Sequence, residues 1–295
     1  MEIINQLIEI FPYAIIGSIL AGMICAFIGT FVVSQRVVFL GAVLTQVSVA
    51  GVAFSFLHLV DLEGFVSSFL GIELTADSFL HHFEPAFFSL LFAVVTVLIF
   101  SQTYRQKVLT QDAILGIIFV FAIAIRIMFI QKSPAAEVSE IESILKGDIL
   151  FIGESEVRSL LIILVLTFSI FILFRKQLKF VTFDPESASA HGINSRLWLL
   201  IFYLVVGTGI SLTTRYVGDV FTFAYLILPS SIGLLLAKKV SHVFIIAIVA
   251  GSIIPPVSLY LAFIFDFSSG PMAVITVFTL FLLVFIFTKL RTRIG

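Results

Sequence analysis

Residues 183–198, FDPESASAHGINSRLW, are the longest polar interruption on the basic side of a chain that is otherwise mostly hydrocarbon. Reading them as a link between membrane spans decides the fold. Asp184-Pro185-Glu186 is a helix start, with a capping carboxylate, proline at the first helical position and a second acid in the first turn. The small residues Ser187, Ala188, Ser189 and Ala190 follow, and Gly192 can close the helix in a left-handed cap. The spacing predicts a short helix outside the bilayer, a shape suited to docking into a cleft of another protein. An ordinary loop between two spans is the plainer alternative.

Outward from this stretch the chain is apolar in both directions. With 60% hydrophobic and 12% charged residues and a mean hydropathy of +1.20, it cannot clothe a water-soluble surface. Apolar runs close to the 20 or so residues that cross a bilayer occupy 12–33, 37–60, 85–103, 113–131, 158–174, 197–214, 217–237, 241–265 and 271–288, nine in all. The run 217–237 is the least secure, because Pro229 followed by Ser230 and Ser231 would break a simple helix. The expected fold is an all-α polytopic membrane protein of eight to nine transmembrane helices, forming one domain over residues 1–295.

The basic residues orient it. With the N-terminus outside, Arg36, Arg105, Lys107, Arg175, Lys176, Lys179, Arg196, Lys238, Lys239, Lys289, Arg291 and Arg293 fall inside, 12 of the 17. The C-terminus and the segment 175–196 are then cytoplasmic. Of the 18 acids only Asp112, Asp184 and Glu186 join them. The longer connections, 61–84 and 132–157, lie outside and are acidic. That charge either tolerates the outer side or draws cations toward it by a salt-screened amount. Met1 to Phe11 carries Glu2 and Glu9 and no cationic region, so the first span is expected to stay in the mature chain. Cys25 lies in an apolar run and reads as packing. The basic residues form no stripe with interleaved aromatics, which disfavours nucleic acid as a partner.

Few residues can carry chemistry. The chain has no GxxxxGK[ST] loop and no HExxH or GxSxG motif, so it is not expected to hydrolyse ATP alone or to act as a membrane hydrolase. The second span, VVFLGAVLTQVSVAGVAFSF, places Thr45, Gln46 and Ser48 near mid-membrane. A polar group there faces the bundle or a cavity, either holding helices together or marking a step on a substrate path. Pro229 with Ser230, and Pro255-Pro256, would break two late helices and expose backbone to such a path or its gate. Arg126, near the outer end of the fourth span, is expected to snorkel to the outer interface, with pairing to Asp219 as the alternative. His81, His82, Asp77 and Glu84 crowd into LTADSFLHHFEP on the outer side. They are weak metal candidates, since adjacent helical histidines point apart. His58, His191 and His242 are isolated.

With these residues in hand, the chain resembles the permease subunits of the ABC-3 family, the membrane components of bacterial ABC importers for zinc, manganese or iron. FDPESASAHGI is similar to the family's cytoplasmic coupling segment, and VGDVFTFAYLILPSSIG to its VGxLLvxALLilPaa stretch. LGAVLTQVSVAGVAFSF, TQDAILGIIF, ILKGDILFI and DFSSGP are weaker matches in the right order. The resemblance implies a multi-pass permease of the bacterial cytoplasmic (inner) membrane and a second copy of the chain. It also implies separate cytoplasmic ATPase subunits, which use the ATP, and an extracytoplasmic solute-binding protein, with no cofactor bound by this chain. It places Asp184, Pro185, Glu186, Ala188 and Gly192 at the positions that dock the ATPase.

One departure stands out. Where the family has G-D-x-L-S-H-x-x-x-P-G, this chain has GAVLTQVSVAG, so Ala42 replaces the acid, Gln46 the histidine and Ala50 the proline. Alanine cannot ligate a metal, and an amide oxygen is a weak, neutral ligand beside imidazole. The alternatives are an ABC permease for a metal chelate or another small solute, or an ATP-independent carrier. The carrier would be expected to hold intramembrane acids, which the inner halves of these spans lack.

Overall fold

The computed structural model describes residues 9–57, 79–103, 110–134, 138, 149–183, 188, 191, 192 and 194–294. Among them the chain is helical throughout: α1 (Pro12–Ser34), α2 (Val38–Ser55), α3 (Phe79–Thr103), α4 (Gln111–Lys132), α5 (Glu154–Leu173), α6 (Arg175–Phe183), α7 (Ser195–Val217), α8 (Asp219–Leu236), α9 (Val240–Phe265) and α10 (Ser269–Ile294), with one 3-10 turn at Ile149–Phe151. Nine of these helices are long and apolar enough to cross a membrane, the exception being the nine-residue α6. The nine apolar runs of the sequence thus become nine helices.

Their starts follow local chemistry. Thr110 caps α4, its hydroxyl accepting from the Ala113 N–H at 3.3 Å, and Asn194 caps α7 by accepting from the Leu197 N–H at 3.2 Å. Glu156 closes the start of α5 by accepting from the Gly153 N–H at 3.0 Å. Each satisfies a donor that the first helical turn leaves open.

Two helices form the centre. α1 packs against α9, α8, α5 and α7, and α2 against α3, α4 and α7. Both are mostly buried, whereas α4, α5 and α10 keep most of their apolar surface exposed, as helices facing lipid do. Where lipid is as apolar as the side chains, close backbone approach takes over as the packing force, and α1 uses glycine for it. A Cβ on Gly22 would lie 2.0 Å from the Gly251 carbonyl oxygen of α9, and one on Gly29 only 1.8 Å from the Leu226 carbonyl oxygen of α8. Stacked rings fill the remaining seam. Phe27 lies 4.2 Å from Phe168 and Phe31 lies 4.4 Å from Phe171, centroid to centroid, joining α1 to α5.

The late prolines do not break their helices. α8 runs on through Pro229 and α9 through Pro255 and Pro256. Serine hydroxyls close to them bond to other carbonyls: Ser230 Oγ donates to the Leu226 and Ala26 carbonyls at 3.0 and 3.2 Å, and Ser258 Oγ to that of Pro255 at 2.6 Å. Chain reversals fall to residues with positive φ, Gly218 at 82° between α7 and α8 and Asp266 at 53° after α9.

Candidate functional site

Arg126, Gln46 and Asp219 meet. The guanidinium Nη1 of Arg126 donates to Gln46 Oε1 at 2.9 Å and reaches Asp219 Oδ2 at 3.4 Å. Gln46 Nε2 in turn donates to the same Asp219 Oδ2 at 2.9 Å. The other carboxylate oxygen, Oδ1, accepts from the Val220 N–H at 2.8 Å. Three helices therefore converge through side chains: α4 brings the cation, α2 the amide and α8 the acid. The expectation that Arg126 snorkels outward is overturned. Its side chain is only 21% exposed and that of Asp219 only 10%, so the charge is met inside the bundle by the acid named as the alternative.

The depth of this triad is unusual for a helix start. Gln46 lies nine residues before the end of α2 at Ser55, about 13 Å along the helix axis at 1.5 Å per residue. Asp219 is the first residue of α8, yet it bonds directly to that amide. The turn between α7 and α8 thus stops short of the C-terminal end of α2. Gly218 makes the reversal, with φ 82° and ψ 166°, a conformation that side chains rarely adopt. The carboxylate sits at the positive end of the α8 dipole, which favours its charge.

A cleft of about 250 Å³ opens beside the triad, with Gln46, Thr45 and Asp219 in its lining. Its remaining walls are apolar: Ala42 of α2, Phe119 of α4, Val220, Phe223 and Ala224 of α8, and Val274 of α10. The structure distributes the other residues singled out in the sequence as follows. Thr45 lines the cleft, but its hydroxyl donates to the Ala42 carbonyl at 2.9 Å, and the buried Ser48 hydroxyl donates to Leu44 at 2.6 Å. Pro229 and Ser230 are buried where α8 meets α1, outside the cleft lining, and Thr30 donates to Ser230 at 3.5 Å.

His81 and His82 belong to the first turn of α3, and Glu84, half-buried, follows them. Asp77 and His58 lie outside the described residues. Among the described residues no three His, Cys, Asp or Glu side chains gather as a metal site would need. In the 175–196 segment, Ala188 is helical and fully buried within the chain. Gly192 is exposed at φ 77°, the left-handed conformation of a glycine cap. Asp184, Pro185 and Glu186 lie outside the described residues. His191 is exposed and meets the Phe180 ring edge-on at 5.5 Å.

Comparison with known proteins places these features. The ABC 3 transport family matches residues 7–288. The manganese transport system membrane protein MntC of Listeria innocua is 26% identical over 276 residues, 93% of this chain and 89% of that protein. The chelated iron transport system membrane protein YfeC of Yersinia pestis is 26% identical over 289 residues, 95% of this chain and 90% of that one. Among solved structures, PsaBC from Streptococcus pneumoniae, in complex with Fab, shares the fold with a TM-score of 0.77. It is 20% identical and covers 96% of this chain and 94% of its own.

Proposed function

The chain belongs to the ABC 3 transport family, and on that premise we propose that it is the permease of a bacterial ABC importer that carries a divalent transition metal, manganese, iron or zinc, across the cytoplasmic membrane. The observation that carries this reading is the extent of the match: residues 7–288 contain nearly all of every span, from the start of α1 to within two residues of the end of the last span at Leu290. Manganese and iron come first because the relatives in Listeria and Yersinia are named for them. Zinc joins them through the family resemblance.

In this reading the assembly contains two copies of the chain, two ATPase subunits and a solute-binding protein. The binding protein delivers the cargo at the outer face. Closure of the ATPases on ATP moves the segment around Ala188 and Gly192, and α2 and α8 part at Gln46 and Asp219 to expose the path to one side and then the other. A chelate as the cargo is the second reading, favoured by Ala42 and Gln46 in place of the acid and imidazole of the family pattern.

Uptake tests the assignment. The chain reconstituted with its ATPase and binding protein is expected to accumulate manganese, iron or zinc only with ATP and only with an active ATPase. Transport by the chain alone, with no ATPase present, would replace the importer reading with that of a secondary carrier.

A further inference from the structure

We propose that Arg126 sets what the cleft accepts: it excludes the bare divalent ion and leaves a site for metal whose charge is already covered by a small organic chelator. This rests on the reading of the chain as a metal-importer permease, and deepens it by naming the form of the cargo.

The oxygens come first. A cation entering the cleft would look to Asp219 and Gln46, the acid and the amide that line it. Asp219 Oδ2 already accepts from Gln46 and faces Arg126, Oδ1 already accepts from the Val220 N–H, and Gln46 Oε1 already accepts from Arg126. An ion ligated there would sit against a tethered guanidinium that carries the same sign of charge. The positive end of the α8 dipole lies beside it and adds to the repulsion. Nothing nearby compensates, since no cluster of three His, Cys, Asp or Glu exists among the described residues.

The walls point the same way. Phe119, Phe223, Val220 and Val274 give the cleft an apolar face, which offers a hydrated ion nothing but offers an organic ligand contact area. A neutral complex brings its own donor atoms and hides the charge, so it needs from the protein only apolar contact and one or two hydrogen bonds. A volume of about 250 Å³ suits a complex of small chelators.

The test uses the full chain in lipid nanodiscs and radioactive zinc, offered either as the bare ion or as its neutral bis-picolinate complex. The wild type is expected to retain the complex and not the ion. Arg126→Gln frees Asp219 and is expected to raise retention of bare zinc by at least about tenfold, what removing one like charge a few ångströms from a divalent ion gives even at the dielectric of water. Adding Asp219→Asn to that variant removes the gain. Arg126→Lys, which keeps the charge, behaves as the wild type. Should Arg126→Gln fail to fold, the wild type alone decides, by retaining the complex and not the bare ion.

Retention of bare zinc by the wild type as strong as that of the complex would overturn the proposal. So would an Arg126→Gln variant that folds without gaining the ion. Failure of the permease reading has a separate signature: the chain would not co-assemble with an ATPase and a binding protein, whatever it retains.

Discussion

Gly29→Ala is the sharpest test of how the bundle is held. The added Cβ would stand 1.8 Å from the Leu226 carbonyl oxygen, where ordinary contact begins at 3.4 Å. A backbone oxygen cannot swing aside as a side chain does, so α1 and α8 must part by the difference, about 1.6 Å. Overpacking of this kind costs about 1–3 kcal/mol. The same opening stretches the bond from Ser230 Oγ to the Ala26 carbonyl, now 3.2 Å, and the contact from Thr30 to Ser230, now 3.5 Å. Both then pass out of hydrogen-bonding range, at about 0.6 kcal/mol each for polar contacts between membrane helices.

The expected loss is therefore about 2–4 kcal/mol. Gly116→Ala supplies the control, because it adds the same atom at a site where the nearest neighbour is a Phe39 ring carbon at 4.0 Å. There the better helix propensity of alanine should stabilise by up to about 1 kcal/mol. Titration of the purified chain from mild detergent into dodecyl sulfate, followed by circular dichroism, measures both. Shifts of the same sign and similar size in the two variants would refute the claim that Gly29 is a backbone contact.

Two further outcomes concern the side proposed as cytoplasmic. Gly192 has φ 77°, and a Cβ added there would meet nothing within 4 Å, so Gly192→Ala should cost about 1 kcal/mol through backbone strain alone; uptake slowed by more than twofold at unchanged ATPase binding would tie that turn to coupling, and an unchanged rate would not. Because Cys25 is buried, a cysteine placed at the exposed Arg196 should be the site that a membrane-impermeant maleimide reaches, and only after the membrane is permeabilised; labelling of intact cells would invert the proposed orientation.

Much of the fold was legible because a bilayer leaves little choice. An apolar run of the right length must become a helix to satisfy its own backbone, so nine runs became nine helices, and even Pro229 could not stop α8. What the residues could not reveal was where each polar side chain spends its hydrogen bonds. Thr45 and Ser48 look like steps on a path when written in a line. In the helix their hydroxyls turn back to the Ala42 and Leu44 carbonyls, an outcome that depends on rotamer and not on composition. Arg126 and Asp219 are 93 positions apart. The signal that could join them was only their opposite charge near the outer ends of two spans, which equally suits two side chains that snorkel. The bonds that tie both to Gln46 decide it.

The three residues of the triad explain one another better than any one explains itself. An unpaired arginine held inside α4 would be costly in a membrane, and so would an unpaired carboxylate at the inset start of α8. Bonded together, each removes the other's cost, and Gln46 completes the set because an amide can donate to the acid and accept from the base at the same time. Imidazole at that position could not do both in the same way, since a neutral ring has one donor and one acceptor on opposite edges and a charged ring has no acceptor. The glutamine that stands where the resemblance implies a histidine is thus the residue that a partly buried Arg–Asp pair calls for. Alanine at position 42 suits the same set: a second carboxylate on α2, one turn from Gln46, would compete with Asp219 for the single guanidinium. The departure from the family pattern is then a substitution of one self-contained polar set for another, neutral where the pattern with an acid and a histidine is open to a metal.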